Sequence, residues 1–171
     1  MITITLETSC LHLEYPELHE LKKLKDEGHV ELWIEPETEW EKMQWENTVE
    51  RKKTLRWMRS NLKWVYVYKD HQLNPSEFQK TLEKVVAIHS PKSKGQEKTK
   101  NPKKAINKLF DCQILTIHIL LRRDFFVTRD FKGSINNCKK ERFESEFGIQ
   151  VRKLDQAFIN ELKGIIENKT K

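Results

Sequence analysis

Paired cysteines and long apolar segments are both missing from this sequence, and each absence excludes a class of protein. The three cysteines, Cys10, Cys112 and Cys138, are widely spaced and form no C-x-x-C pair, so we predict neither a disulfide framework nor a zinc ribbon. The longest apolar stretch, residues 114–121, is interrupted by a threonine and a histidine. Because a bilayer-spanning helix needs about 20 apolar residues, we expect no association with a membrane.

Several catalytic and targeting signals are also missing. No G-x-S-x-G, P-loop or G-x-G-x-x-G motif occurs, which excludes the common serine hydrolases, P-loop NTPases and simple dinucleotide-binding proteins. Residues 1–7 lack the basic segment and the long apolar run of a signal peptide. With this start and few cysteines, we expect the protein in the reducing cytoplasm.

The sequence contains enough apolar and aromatic residues for one folded domain. Its 171 residues suit a single domain over residues 1–171, and five tryptophans and eight phenylalanines argue against disorder. The net charge of +6 favours association with a polyanion such as RNA, although many basic domains bind no nucleic acid. Residues 90–104 are rich in lysine and lack apolar side chains, which predicts a mobile, solvated loop.

Strand-like and helix-like segments alternate along the chain. β-Branched and apolar runs predict five strands, and amphipathic spacing predicts the helices between them. Such alternation is typical of an α/β fold, a three-layer α/β/α sandwich with a central, mainly parallel sheet. The predicted strands are residues 2–6, 30–34, 64–68, 124–128 and 149–151, and the predicted helices are residues 17–27, 36–61, 77–88, 104–122, 138–146 and 155–167.

Acidic residues follow several predicted strands, at the end where open α/β sheets hold their sites. Glu7 follows the first strand and Asp130 the fourth, Asp111 lies on the helix before the fourth strand, and four glutamates at 35, 37, 39 and 41 follow the second. Carboxylates that meet repel one another unless hard cations such as Mg²⁺ or Mn²⁺ neutralise them. Two such ions can activate a water for attack on a phosphodiester, as in metal-dependent nucleases. A single acidic residue is nevertheless far more often solvated surface than ligand.

Three segments resemble the C-terminal half of PIN domains. They are D-C-Q-I-L at 111–115, the segment 124–130 that ends in V-T-R-D, and F-G-I-Q-V at 147–151. Glu7-Thr8-Ser9 stands where PIN domains have D-T/S-S, and Pro36 followed by Glu41 suits their second acidic position. The resemblance implies the α/β/α sandwich and a Mg²⁺- or Mn²⁺-dependent ribonuclease, either a toxin with an antitoxin-like protein inhibitor or an RNA-processing enzyme.

The resemblance also assigns roles to particular residues. It implies metal binding and catalysis by four acids, with the Thr128 hydroxyl supporting the site and Glu39 as the alternative to Glu41. The four acids are Glu7, Glu41, Asp111 and Asp130. From their positions near the site we expect Arg129, Lys103 and Lys104 to contact substrate phosphates.

One departure from the family leaves a second interpretation open. The first acid of PIN domains is usually Asp, and the extra methylene of Glu7 moves its carboxylate by roughly 1.5 Å in a site where Mg²⁺ demands near-ideal geometry. The alternative is therefore a degenerate domain that binds RNA or a protein partner without cutting. For four tryptophans we predict core packing or a homodimer contact rather than stacking on RNA bases. They are Trp40, Trp45, Trp57 and Trp64.

Overall fold

The computed structural model describes residues 1–64, 73–89, 102–131 and 135–169, with side chains from residue 106 onward in the helix that begins at Pro102. The strands are β1 (Ile2–Leu6), β2 (Val30–Ile34), β3 (Lys63–Trp64), β4 (Phe125–Thr128) and β5 (Gln150–Lys153). The helices are α1 (Pro16–Asp26), α2 (Pro36–Met43), α3 (Thr48–Asn61), α4 (Pro75–His89), α5 (Pro102–Leu120), α6 (Asn137–Phe147) and α7 (Gln156–Lys169).

The sheet has five parallel strands in the order β3-β2-β1-β4-β5. The chain moves outward from β1 through β2 to β3, and then returns to place β4 on the other side of β1. This reversal makes the β1–β4 junction the topological switch point, where a crevice opens outside the carboxyl ends of the strands. The register pairs Leu6 with Val127, so the residues that follow β1 and β4 emerge side by side.

Helices cover both faces of the sheet, which confirms the predicted three-layer α/β/α sandwich. Alternate residues of β4 serve opposite layers, because successive side chains of a strand point to opposite faces. Phe125 and Val127 pack into a core with α1 and α7, through residues such as Leu21 and Phe158. Phe126 packs into a second core with α4, α5 and α6.

One predicted helix differs from the structure, and two predicted segments lie partly outside the described residues. The single helix predicted over residues 36–61 is wrong, because α2 ends at Met43 and α3 begins at Thr48. Asn47 caps the second helix by accepting a hydrogen bond from the amide of Glu50, which starts a new helix rather than extending the first. The third predicted strand is present at Lys63–Trp64, and its remaining residues, 65–68, lie outside the described residues. Most of the lysine-rich segment 90–104 also lies outside them.

A buried polar network joins α5 to the first two strands. The Thr5 hydroxyl lies 3.0 Å from Nδ1 of His118 and accepts a hydrogen bond of 2.8 Å from Arg123. Arg123 also donates to Glu35 at 2.8 Å, and all four side chains are buried. Burial raises the pKa of Glu35 to about 7, even though the Arg123 guanidinium acts in the opposite direction.

Among the helices in the described part of the chain, none combines the length and the apolar character that crossing a bilayer requires.

The buried carboxyl of Glu35 makes stability depend on pH. Its pKa in the folded protein, about 7, lies above the ordinary value of 4.5, so the folded state binds more protons between these values. The free energy of unfolding should therefore fall as pH rises from about 4.5 to 7, by up to about 3 kcal/mol from this group. We expect Glu35→Gln to flatten this slope in urea denaturation curves measured across that range. An unchanged slope would contradict the assignment.

Candidate active site

Three acidic side chains meet at the carboxyl ends of β1 and β4. One carboxylate oxygen from each of Glu7, Glu41 and Asp111 lies within 4.8 Å of the other two. Glu7 follows β1, Glu41 lies on α2 and Asp111 lies on α5, so three separate elements converge there. A carboxylate-only ligand set of this kind suits a hard divalent cation.

These carboxylates line a cavity of about 490 Å³. Asp130, after β4, lines the same cavity but is exposed and lies outside the group of three. The other lining residues are Thr8, Ser9, His12, Trp40, Lys42, Gln44, Trp45 and Asn107. The cavity therefore combines carboxylates with aromatic and amide side chains.

The turn after β1 explains how a glutamate is held at position 7. Thr8–Cys10 form a 3₁₀ turn, and Glu7 caps it by accepting a hydrogen bond from the Ser9 amide at 3.1 Å. The Ser9 hydroxyl donates to the same oxygen, Oε2, and the Thr128 hydroxyl does so at 2.9 Å. The hydrogen bonds described for this carboxylate all end on Oε2, which leaves Oε1 for the cavity. The longer side chain is thus bent back onto its own turn and still reaches the other two acids.

Glu41, and not Glu39, is the residue of α2 that the structure brings to this group. The Thr8 hydroxyl donates a hydrogen bond to Glu41. Glu39 instead forms an ion pair with Arg59 on α3, at 2.6 Å, outside the cavity. The two glutamates differ by two positions on a helix, so their side chains project in different directions.

Mutual repulsion and burial change the protonation of the acids. Burial is the largest cause that raises the pKa of Asp111 to about 8, and the neighbouring carboxylates of Glu7, Glu41 and Asp130 contribute to the same rise. The pKa values of Glu7 and Glu41 are also raised, mainly by burial, although hydrogen bonds from hydroxyl groups lower them. The ionised cluster is therefore unfavourable until a cation joins it.

A buried lysine lies beside the cluster. The Lys42 side chain is fully buried, and its ammonium lies 3.3 Å from the centre of the Trp45 ring with no hydrogen-bond partner in the described residues. Burial lowers the pKa of Lys42 to about 7, and the carboxylates of Glu7 and Glu41 act in the opposite direction. No sequence signal pointed to this residue, since a lysine next to a glutamate on a helix is usually solvated.

Arg129, one of the three residues expected to bind phosphate, lies away from the cavity. The Arg129 guanidinium contacts Glu17 at 3.3 Å and lies 3.8 Å from the centre of the Tyr15 ring, so it does not line the cavity. The side chains of Lys103 and Lys104 fall outside the described residues. The described cavity therefore contains Lys42 as its one lysine and no arginine.

A second group of possible ligands lies at the edge of the cavity. Nδ1 of His12 is 3.5 Å from Glu14, which is exposed, and 3.6 Å from Glu50, which is partly buried like His12 itself. The His12 ring also contacts Trp45, with ring centres 4.7 Å apart. These are surface contacts, which contribute little to stability.

Comparison with known proteins gives one informative similarity. No model of a known protein family matches the chain, and no curated protein sequence is similar to it. A chain in the crystal structure of VapBC2 from Rickettsia felis has a similar fold, with a TM-score of 0.53. In that structure VapBC2 is bound to a DNA fragment from its promoter. The match covers 90% of this chain and 100% of that chain at 11% sequence identity. Similarity at this level establishes the arrangement of helices and strands, and no more.

Replacing the buried Asp111 carboxyl should stabilise the cation-free protein. We expect Asp111→Asn to raise the free energy of unfolding in EDTA by about 1 kcal/mol or more above a pH of about 8, because Asp111 is then ionised in a buried site beside two other acids and the asparagine is not. For a domain of this size, each kcal/mol shifts the midpoint of thermal unfolding by roughly 2–4 °C. Glu39→Gln is the control, since loss of an exposed ion pair costs about 1 kcal/mol at most. Destabilisation by Asp111→Asn would mean that the three acids do not repel one another.

Proposed function

We propose that this protein is a divalent-metal-dependent ribonuclease of the PIN type, built as one domain over residues 1–171. The convergence of Glu7, Glu41 and Asp111 within 4.8 Å carries the proposal. Their position at the β1–β4 switch point adds support, because α/β sheets place their sites there. The similarity in fold to VapBC2, together with the PIN-like motifs of the sequence, supports the choice of family.

The donor set fits a small divalent cation. Glu7, Glu41 and Asp111 would hold it, with Asp130 at the open side of the cavity. One oxygen of Glu7 and one of Glu41 are already hydrogen-bonded to hydroxyl groups, so each of these carboxylates offers a single remaining oxygen. This favours Mg²⁺ or Mn²⁺, which keep several waters, over Ca²⁺, which gathers about six to eight oxygen ligands.

When bound, such a cation would lower the pKa of an attacking water and neutralise charge on the phosphodiester. The chain's own hydroxyl groups hold the carboxylates in position. Thr128 and Ser9 fix the orientation of Glu7, and Thr8 fixes that of Glu41. No protein nucleophile is needed, since a water is the attacking group.

A protein partner is part of the proposal. VapBC2 is a toxin–antitoxin complex, and an antitoxin-like inhibitor would give this chain a comparable partner. A toxin and an RNA-processing enzyme would use the same catalytic site. They would differ in whether an antitoxin-like inhibitor binds the protein.

Cation binding should be visible in thermal unfolding. A cation at about one hundred times its dissociation constant adds about 2.7 kcal/mol of stability, which corresponds to a rise of roughly 5–10 °C here. We expect Mg²⁺ and Mn²⁺ to produce this rise in the wild type more effectively than Ca²⁺. Glu41→Gln should lose most of the rise and Glu39→Gln should keep it. An equal response of the two variants would remove Glu41 from the ligand set.

Cleavage of RNA tests the activity directly. Labelled single-stranded RNA with Mn²⁺ should be cut by the wild type and by Glu39→Gln, and at least about 100-fold more slowly by Asp111→Asn and by Glu41→Gln. Cleavage at the same rate by all four proteins would indicate a contaminating nuclease and end the enzyme proposal. Cation binding without cleavage by the wild type would favour the degenerate, binding-only domain.

A further inference from the structure

One wall of the candidate site is formed by aromatic and amide side chains, which lie beside the acidic residues. Trp40, Gln44 and Asn107 line the same cavity as Glu41 and Asp111. Trp40 and Gln44 are four positions apart at the end of α2, so they lie on one face of the helix. The cavity volume, about 490 Å³, lies within the range of roughly 300–1,000 Å³ that is usual for small-ligand sites.

Trp40 presents an exposed aromatic ring at this wall. Its side chain is 42% exposed, although burial of so large an apolar group would stabilise the fold. Phe110 of α5 contacts it edge-to-face, with ring centres 4.9 Å apart and an angle of 71° between the planes. Such a contact favours one orientation of the Trp40 ring, which lowers the conformational entropy lost when a second ring stacks on it.

The other aromatic rings of the cavity contact Lys42 or one another. The Trp45 ring lies against the Lys42 ammonium at 3.3 Å and against the His12 ring at 4.7 Å. Trp45 is therefore part of the packed wall, and Trp40 is the aromatic side chain best placed for a ligand. The Gln44 and Asn107 side chains each carry an amide that can donate and accept hydrogen bonds, as the edge of a nucleobase requires.

We propose that this wall is a nucleobase subsite, in which one unpaired base of the substrate stacks on Trp40 while the adjoining phosphate lies at the acids. The inference rests on the proposed nuclease function and names the part of the site that would hold one base of its substrate. A base inside a duplex is stacked on its neighbours and cannot enter a concave cavity without leaving the helix. Stacking on an aromatic side chain tolerates any base, so affinity here requires an unpaired strand rather than a particular sequence.

Binding to a short fluorescein-labelled single-stranded RNA tests the subsite. The Asp111→Asn protein serves as the background, so that the RNA stays intact during fluorescence-anisotropy titrations. Adding Trp40→Ala should weaken binding by about 5- to 150-fold, the range for loss of one stacked base, whereas Trp40→Phe should keep most of the affinity. The same RNA annealed to its complement should bind more weakly, and Trp40→Ala should leave that residual binding unchanged.

A matched control comes from the neighbouring surface. Leu109 is 45% exposed on α5 and does not line the cavity, so Leu109→Ala should leave RNA binding unchanged. Equal losses in Trp40→Ala and Leu109→Ala would overturn the subsite. So would unchanged RNA affinity with a shift from dimer to monomer in Trp40→Ala, because this face would then be a contact between copies of the chain.

Failure of the subsite and failure of the nuclease proposal give different results. If the wild type cuts RNA and Trp40→Ala cuts it with an unchanged KM, the subsite is wrong and the nuclease stands. If no RNA is cut but binding depends on Trp40 and on an unpaired strand, the subsite stands and the nuclease is wrong. Absence of both cleavage and binding removes both.

Discussion

The repulsion among three gathered carboxylates is the constraint to which the surrounding structure responds. Glu7, Glu41 and Asp111 are brought within 4.8 Å by elements that are far apart in the chain. The folded protein compensates through hydroxyl donors on two of the acids and through raised pKa values on all three. This arrangement costs stability, and it persists because the parallel sheet fixes where the carboxyl ends of β1 and β4 lie.

The short helix α2 brings several kinds of side chain to one cavity. It is eight residues long and begins at Pro36, which follows β2 almost directly. The helix contributes Trp40, Glu41 and the buried Lys42 to the cavity lining. Gln44, which follows the helix directly, also lines the cavity. The turn at residues 44–47 then redirects the chain into α3, so Trp45 folds back onto Lys42 instead of continuing along a helix.

The sequence predicted the sheet better than it predicted the site. The segments ITITL and VELWI form strands with the predicted bounds, because alternation of β-branched and apolar residues is a local signal. The break between α2 and α3 was missed, because amphipathic spacing continues across it and the cap at Asn47 is a single side chain. A local pattern could not separate Glu41 from Glu39, since Arg59, which pairs with Glu39, lies 20 residues further on. The burial of Lys42 and the openness of Trp40 arise only from packing between α2, α5 and the turn after β1.

The hydrogen bond between Thr5 and His118 has a consequence for the acids, although neither residue touches them. Thr5 lies on β1, two positions before Glu7, and His118 lies seven positions, or about two helical turns, after Asp111 on α5. Apolar packing alone lets a helix slide or roll on a sheet, whereas a directed bond between two buried polar groups does not. This hydrogen bond sets the position of α5 along its axis and its rotation relative to β1. It thereby fixes the separation of the Glu7 and Asp111 carboxylates, which are distant in the chain.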